Sequence, residues 1–253
     1  NQSKTTKEFI LVIHDITQLR YLNSMRRDFI SNVSHELRTP VSVIRANSET
    51  LLESALEDKK QSKVFAKAIL HNSERLTEMV TDLLDLSRIE HGELKLHIEK
   101  INLQECIDQS IDSLKNLGKK KNVVIKCNCP NKTQYVFADK KALERILTNL
   151  IDNAFKYSEE DSVINIATKT KHKDDNVLIS ITDSGKGISD EDKPVIFDRF
   201  FRTAEARASE KKGSGLGLAI VKNLVNSLNG DVGVKNAPNN KGSQFWLTLP
   251  IAR

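Results

Sequence analysis

Between Leu19 and Ser54 the apolar residues Leu22, Met25, Phe29, Val33, Leu37, Val41, Ile44 and Leu51 follow one another mostly at steps of three and four. That spacing describes one face of a long helix, which at 1.5 Å per residue is roughly 50 Å long. A break at ALEDKKQ follows. A second stripe then runs through Phe65, Ile69, Leu76, Val80, Leu83 and Leu86 toward RIEHGEL, where Gly92 is a suitable stop. Two long amphipathic helices with a short connection make an antiparallel hairpin, and a hairpin alone cannot hide both stripes. Pairing two hairpins into a four-helix bundle does hide them. The pattern therefore predicts a homodimer through the hairpin, with packing of the hairpin against the C-terminal half as the alternative.

The first helix carries an oddity. In SNVSHELRTPVSVIR a proline, Pro40, follows a polar cluster of His35, Glu36, Arg38 and Thr39. A proline inside a helix removes one backbone bond, opposes the carbonyl four residues back and costs about 3 kcal/mol. Here that carbonyl belongs to Glu36, so the defect falls at the polar turn.

After Leu94 the texture changes. VVIKCNC, YVFAD, VINIATKT, NVLISITD and GSQFWLTLP read as strands, and INLQECIDQSIDSLKNLG, KKALERILTNLIDNAFKYS and LGLAIVKNLVNSLNG read as helices between them. The predicted fold class is α+β: a helical hairpin forming a dimeric four-helix bundle, then an α/β sandwich. The predicted boundaries are 1–18 for the end of an upstream sensor or linker, 19–97 for the hairpin with HIEKINL as the junction, and 98–253 for the sandwich. FILVIHDIT near the start reads as the last strand of a preceding sheet, which makes an upstream sensor or membrane part an expectation.

Composition narrows the function. The net charge is +5, but 34 acidic residues are spread among 39 basic ones and aromatics are 5% of the chain. Nucleic-acid binding shows as a basic stripe with interleaved aromatics, so no nucleic-acid partner is expected. No apolar run approaches the ~20 residues of a membrane helix. The three cysteines, Cys106, Cys127 and Cys129, lack the spacing of a four-ligand zinc site and are odd in number, which fits a reducing, intracellular setting.

Four short motifs in the second half carry chemistry. In LTNLIDNAFKYS, Asn149 and Asn153 are four apart and share a helix face, with Lys156 a turn further along and Tyr157 beside it. Two amide oxygens suit a hard cation such as Mg²⁺, which takes one or two protein oxygens plus phosphate and water. In DSGKGI, Asp183 ends a strand, and Gly185 and Gly187 permit close backbone approach, so its carboxylate can accept from an exocyclic amine. FDRFFRTAEARASEKK offers Phe197, Phe200 and Phe201 as anchors before a small, charged segment with Arg202, Arg207, Lys211 and Lys212. In GSGLGLAIV, Gly213, Gly215 and Gly217 precede an apolar helix whose free N–H groups would face an anion. Neither a Walker A lysine nor a strand directly before these glycines is present. Singly, the motifs also fit an ordinary helix surface, a turn, a solvated charge run and a loop.

Together and in this order the motifs resemble the N, G1, F and G2 boxes of the Bergerat ATP-binding fold. Histidine kinases, gyrase-type topoisomerases, Hsp90-type chaperones and MutL-type repair proteins share that fold. SHELRTP upstream resembles the H box of sensor histidine kinases of two-component systems, PhoR/WalK-like class, and the resemblance covers about Leu19 to Arg253. VIHDITQLR is similar to the tail of a PAS domain.

The resemblance implies that His35 is an exposed phosphoacceptor, that Glu36 takes the Nδ1 proton, and that Thr39 positions a water for phosphatase action on the partner. A histidine side chain titrates just below neutrality, so at pH 7 most of it holds a free nucleophilic lone pair. Asn153 is implied as the Mg²⁺ ligand with Asn149 as companion, Lys156 and Tyr157 as phosphate and nucleoside contacts, and Asp183 as the partner of the adenine amino group. Gly185 and Gly187 would shape the adenine pocket, and Arg202 would reach the γ-phosphate. Lys212, Gly213, Gly215, Leu216 and Gly217 complete the nucleotide set, beside a variable lid. ATP and Mg²⁺ are the implied cofactors, and the receiver domain of a response regulator the implied partner. The implied location is the cytoplasmic side of a bacterial membrane, with attachment only through upstream segments. Pro40 would let the helix switch between straight and bent states. The histidines at 14, 71, 91, 97 and 172 lack ligand spacing and read as surface or satisfied groups, and Trp246 reads as core packing. Two other readings stand beside this one: another ATPase of the same fold, which would not need His35, and a nucleotide-gated dimeric scaffold.

Overall fold

A computed structural model of the chain describes residues 14–53, 58–130, 134–171, 175–208, 213–238 and 241–252. Helix α1 runs Thr17–Glu53 and passes through Pro40, whose ring is buried. Helix α2 runs Lys59–Glu90, and Asp58 caps it by accepting from the N–H groups of Lys60 and Gln61 at 2.8 and 3.3 Å. Gly92, at φ +67, ends the segment as its freedom in the left-handed region allows. The predicted strand over residues 9–17 lies largely outside the described residues, as does much of the hairpin loop. Where the chain is described, it leads straight into α1, and the Thr17 N–H is held by Asp15.

The hairpin covers its stripes only in part. Met79 and Leu86 are fully buried, and Phe29, Val33, Leu37 and Leu83 pack against the same core. Val41 and Val80, which the spacing puts on the stripes, remain exposed, as do Ile30, Leu70 and Leu84. Two helices span too narrow an arc to shield more.

The second half contains β1 (Glu99–Asn102), α3 (Leu103–Lys121), β2 (Val124–Asn128), β3 (Tyr135–Ala138), α4 (Lys140–Tyr157), β4 (Val163–Lys171) and β5 (Asn176–Thr182). It continues with α5 (Ala204–Ala208), α6 (Gly217–Ser227), β6 (Val232–Asn236) and β7 (Ser243–Pro250). Strands β2-β4-β5-β7-β6 form one sheet, in which only β2–β4 is parallel; β1 and β3 pair apart from it. The apolar face of α4 (Leu143, Ile146, Leu147, Leu150, Ile151) and that of α6 (Ile220, Val221, Leu224, Val225) are buried in one core with Ile164, Ile166, Ile179, Leu247 and Leu249 of the sheet. Each such side chain contributes about 2 kcal/mol by leaving water, and together they fix α4 and α6 as the frame of the site. Trp246 is half-buried on β7, with its indole against Gly233 of β6. The sequence reading did not contain β1, β6 or α5.

No described helix is long and apolar enough to cross a membrane.

Candidate functional site

A cleft of about 1010 Å³ opens between α2 on one side and α4, α6 and the loop after β5 on the other. Asn149, Asn153, Lys156, Tyr157, Asp183, Gly187, Arg202, Gly213, Gly215 and Gly217 all line it. Residues predicted from four separate motifs therefore converge on one cavity.

Each is placed by a local physical reason. Asp139 caps α4 by accepting from the Ala142 N–H, and its other oxygen ties down the His97 N–H of the linker, at 2.9 Å each. From that fixed start, α4 presents Asn149 and Asn153 to the cleft. The Asn149 amide nitrogen is buried without a hydrogen-bond partner, and leaving such a donor unmatched costs about 1–3 kcal/mol. A polar ligand entering the cleft would remove that cost.

Opposite it stands the start of α6, with Leu216 at the cap position making no side-chain capping bond. Leu216 itself is fully buried and anchors the turn. The open N–H groups and positive dipole end of the 11-residue α6 are suited to phosphate. Gly217 brings the helix start close to α4, since a Cβ on it would lie 3.0 Å from the Asn149 Oδ1.

Asp183 is 5% exposed, and its Oδ1 accepts from the Gly185 N–H at 2.8 Å and the Ser243 N–H at 3.2 Å. Gly185 packs so tightly that a Cβ would come within 2.5 Å of the Tyr157 carbonyl oxygen. Gly242 and Ser243, at the start of β7, were not singled out from the sequence, yet they complete this pocket. The Gly-Ser pair before the last apolar strand was the available signal.

Some predicted residues are engaged elsewhere. Lys156 Nζ pairs with Asp152 at 2.5 Å, one turn back on α4. Arg202 lines the cleft, but its guanidinium donates to the Ala206 carbonyl in the short helix α5. Lys212 and Lys211 lie outside the described residues, as does the side chain of Arg207.

His35 is exposed on α1, as expected, and is not among the residues that line the cleft. Thr39 is exposed on the same face, and its hydroxyl donates back to the His35 carbonyl at 3.3 Å. Glu36 accepts from Arg75 of α2 at 3.3 Å. Arg75 itself lines the cleft, so one ion pair links the cleft wall to the residue beside His35. The sequence reading missed Arg75, because a lone arginine on a helix carries no local signal. His71, read as a surface histidine, is exposed and also lines the cleft.

Besides the buried Met79 and Leu86, ion pairs and rings join the two halves. Arg145 of α4 pairs with Asp82 of α2 and lies 3.8 Å from Asp85, and the Ser214 hydroxyl is 3.5 Å from Asp82. Arg199 pairs with Glu90, and its guanidinium stands 5.3 Å from the centre of the Phe29 ring. Phe29 also meets Phe200 at 5.7 Å between ring centres. Phe200 holds a left-handed backbone at φ +60, and its N–H donates to the Gly215 carbonyl. Burial pushes the Asp82 carboxyl above its ordinary range, and the nearby Arg145 offsets only part of that. The ion pair therefore sits in a partly desolvated place, where the attraction repays burial only in part, beside the apolar contacts of Met79, Leu86 and Phe29.

Residues 138–253 match the family model described as Histidine kinase-, DNA gyrase B-, and HSP90-like ATPase, and residues 25–92 match that of the His Kinase A (phospho-acceptor) domain. The chain belongs to the histidine kinases. It is 34% identical over 95% of its length to Sensor histidine kinase WalK of Bacillus subtilis, spanning 39% of that protein. It is 34% identical over 98% of its length to Sensor-like histidine kinase SenX3 of Mycobacterium tuberculosis, spanning 60% of it. Among solved structures, Acinetobacter baumannii histidine kinase AdeS overlays with a TM-score of 0.71 at 25% identity, covering 87% of this chain and 98% of that one. The phospho-acceptor match sets the chain apart from gyrase-type and Hsp90-type ATPases. Its helical hairpin followed by an α/β sheet domain is the layout of this family.

Proposed function

We propose that the chain forms the phosphotransfer and catalytic parts of a sensor protein-histidine kinase. Residues 19–97 act as the dimerisation and phosphoacceptor unit, 98–253 as the ATP-binding unit, and 1–18 as the tail of an upstream sensor. The observation that carries this reading is the pairing, in one chain, of an exposed imidazole on α1 with a cleft that holds a buried unmatched amide and an uncapped helix N-terminus.

ATP is the nucleotide. Asp183 accepts from the adenine amino group, the start of α6 and Lys156 bind phosphate, and Arg202 leaves Ala206 to reach the terminal group. The donor set fits a hard cation: Asn153 would hold Mg²⁺ with Asn149 beside it, and that ion neutralises triphosphate charge when bound. Glu36 exchanges Arg75 for the His35 Nδ1 proton, which leaves Nε2 to attack the γ-phosphorus in line as the bond to the leaving oxygen breaks. The phosphoryl group then passes to an aspartate of a response-regulator receiver domain. Exposed Val41, Val80 and Leu84 support a second hairpin packed against the first. The full-length protein sits at a bacterial cell membrane through segments beyond this chain, with these parts in the cytoplasm. Incubation with γ-labelled ATP tests the reading: the expected product is acid-labile, base-stable label on the protein, and binding without any label would favour the scaffold.

Because His35 does not line the cleft, the docked arrangement holds the two reactants apart, and transfer needs the ATP-binding unit to swing away from α2. The contacts of Phe29 with Phe200 and Arg199 are worth about 1 kcal/mol each. Phe29→Ala should therefore raise the initial rate of autophosphorylation by up to roughly thirtyfold. An unchanged rate would show that docking does not restrain the reaction.

Thr39→Ala should leave autophosphorylation intact and slow the loss of phosphate from a phosphorylated receiver domain by about tenfold or more, roughly 1.4 kcal/mol of transition-state stabilisation. Equal dephosphorylation by the two proteins would remove the phosphatase assignment.

A further inference from the structure

Cys127 lies near the end of β2, an edge strand of the five-stranded sheet, and Cys129 follows directly after that strand. The two sulfurs stand 3.1 Å apart, with Cys127 exposed and Cys129 half-buried. The ATP-binding cleft does not use them. We propose that this pair is a reversible dithiol–disulfide site, oxidised by a peroxide and reset by a dithiol.

The surroundings divide the two roles. The hydrogen bond from the Cys127 thiol lowers Cys129 to about 7, with help from Thr168 of β4, against partial burial and the charge of Asp108 on α3. The same bond raises Cys127 well above its ordinary value, and Gln104 of α3 approaches its sulfur at 3.9 Å. We assign Cys129 as the nucleophile and Cys127 as the resolving thiol, because the sulfur–sulfur contact favours one thiolate over two. Among the described residues no cluster of three or more His, Cys, Asp or Glu side chains could hold a metal ion, so a closed zinc site does not compete for the pair.

The chemistry balances. The Cys129 thiolate attacks one peroxide oxygen, the O–O bond breaks, and the departing hydroxide takes a proton to become water. Cys127 sulfur then attacks the sulfenic Cys129 sulfur, the S–O bond breaks, and hydroxide leaves with the Cys127 proton as a second water. Two thiols have lost two electrons and two protons, and hydrogen peroxide has been reduced to water. The sulfurs need to close only to about 2 Å. The bridge would lie at an exposed strand end, open to attack by a reducing dithiol, as a regulatory rather than structural disulfide is.

The test treats the whole chain with dilute hydrogen peroxide, blocks free thiols and analyses tryptic peptides by mass. Trypsin should release residues 127–132 as one peptide, since Lys126 and Lys132 flank it. That peptide should become two hydrogen atoms lighter, and dithiothreitol should restore it. Cys106 is buried and pushed up to about 12, so it should react at least about tenfold more slowly. Oxidation should quicken as pH rises through about 7, where Cys129 becomes thiolate. Cys127→Ser should leave a sulfenic acid at Cys129 that dimedone traps, and Cys129→Ser should leave neither bridge nor adduct. An unchanged peptide, oxygen added to both sulfurs, or a disulfide between two chains would each overturn the proposal.

Discussion

His35→Gln should reduce covalent label from γ-labelled ATP to background while nucleotide binding stays within about twofold of the parent. The side chain is exposed on α1, and exposed substitutions away from special features change stability by within about 0.5 kcal/mol, so misfolding is not a competing explanation. Glutamine keeps the approximate size and polarity but has no nitrogen lone pair able to attack phosphorus. The structure supplies a sharp control. In the docked arrangement His71 of α2, not His35, lines the cleft. If docking were the reactive state, label would survive in His35→Gln and vanish in His71→Gln. Loss in the first and retention in the second is the expected pair of results, measured by acid and base stability of the label. The reverse pair would move the phosphoacceptor to α2 and end the present assignment.

Asp183→Asn should weaken ATP binding by about a hundredfold or more, read by calorimetry, with the fold retained in circular dichroism. The substituted amide oxygen can still accept the Gly185 and Ser243 N–H groups that now meet the carboxylate, so the turn before the glycines should survive. Its other end changes from an acceptor to a donor. An adenine amino group is also a donor, and two buried donors facing each other lose a hydrogen bond and leave both groups unmatched. A site built to bond a polar group rejects the mismatched form by several kcal/mol. Guanosine nucleotides should gain relative to ATP in the variant, because their base edge offers an acceptor there. Unchanged ATP affinity would place the adenine elsewhere in the cleft.

Much of the architecture was legible because it is written locally. The stripes of α1 and α2 have helical period over many turns, and β4, β5 and β7 are rich in β-branched residues, so short windows suffice. The missed elements lack that redundancy. EKIN has no clear alternation and becomes β1 only by pairing with Tyr135–Ala138. VGVKN contains a glycine and two polar residues, and it becomes β6 because Gly233 admits the Trp246 ring of β7. Helix α5 is five residues inside a segment whose composition reads as a charged loop.

The sequence alone determined the hairpin and the class of the sheet domain, because each rests on spacing within a few turns or one strand; the exposed His35 and the cleft residues were expected from the resemblance of their motifs. Only the tertiary structure decided that four motifs face one cleft and that Gly242 and Ser243 complete the Asp183 pocket. It alone decided that Arg75 and Asp152 hold Glu36 and Lys156, and that Arg145 and Phe200 dock the sheet domain on α2 and α1. These contacts join residues far apart along the chain. Their energy comes from desolvation and ring packing, which depend on which surfaces meet and leave no periodic trace in the order of residues.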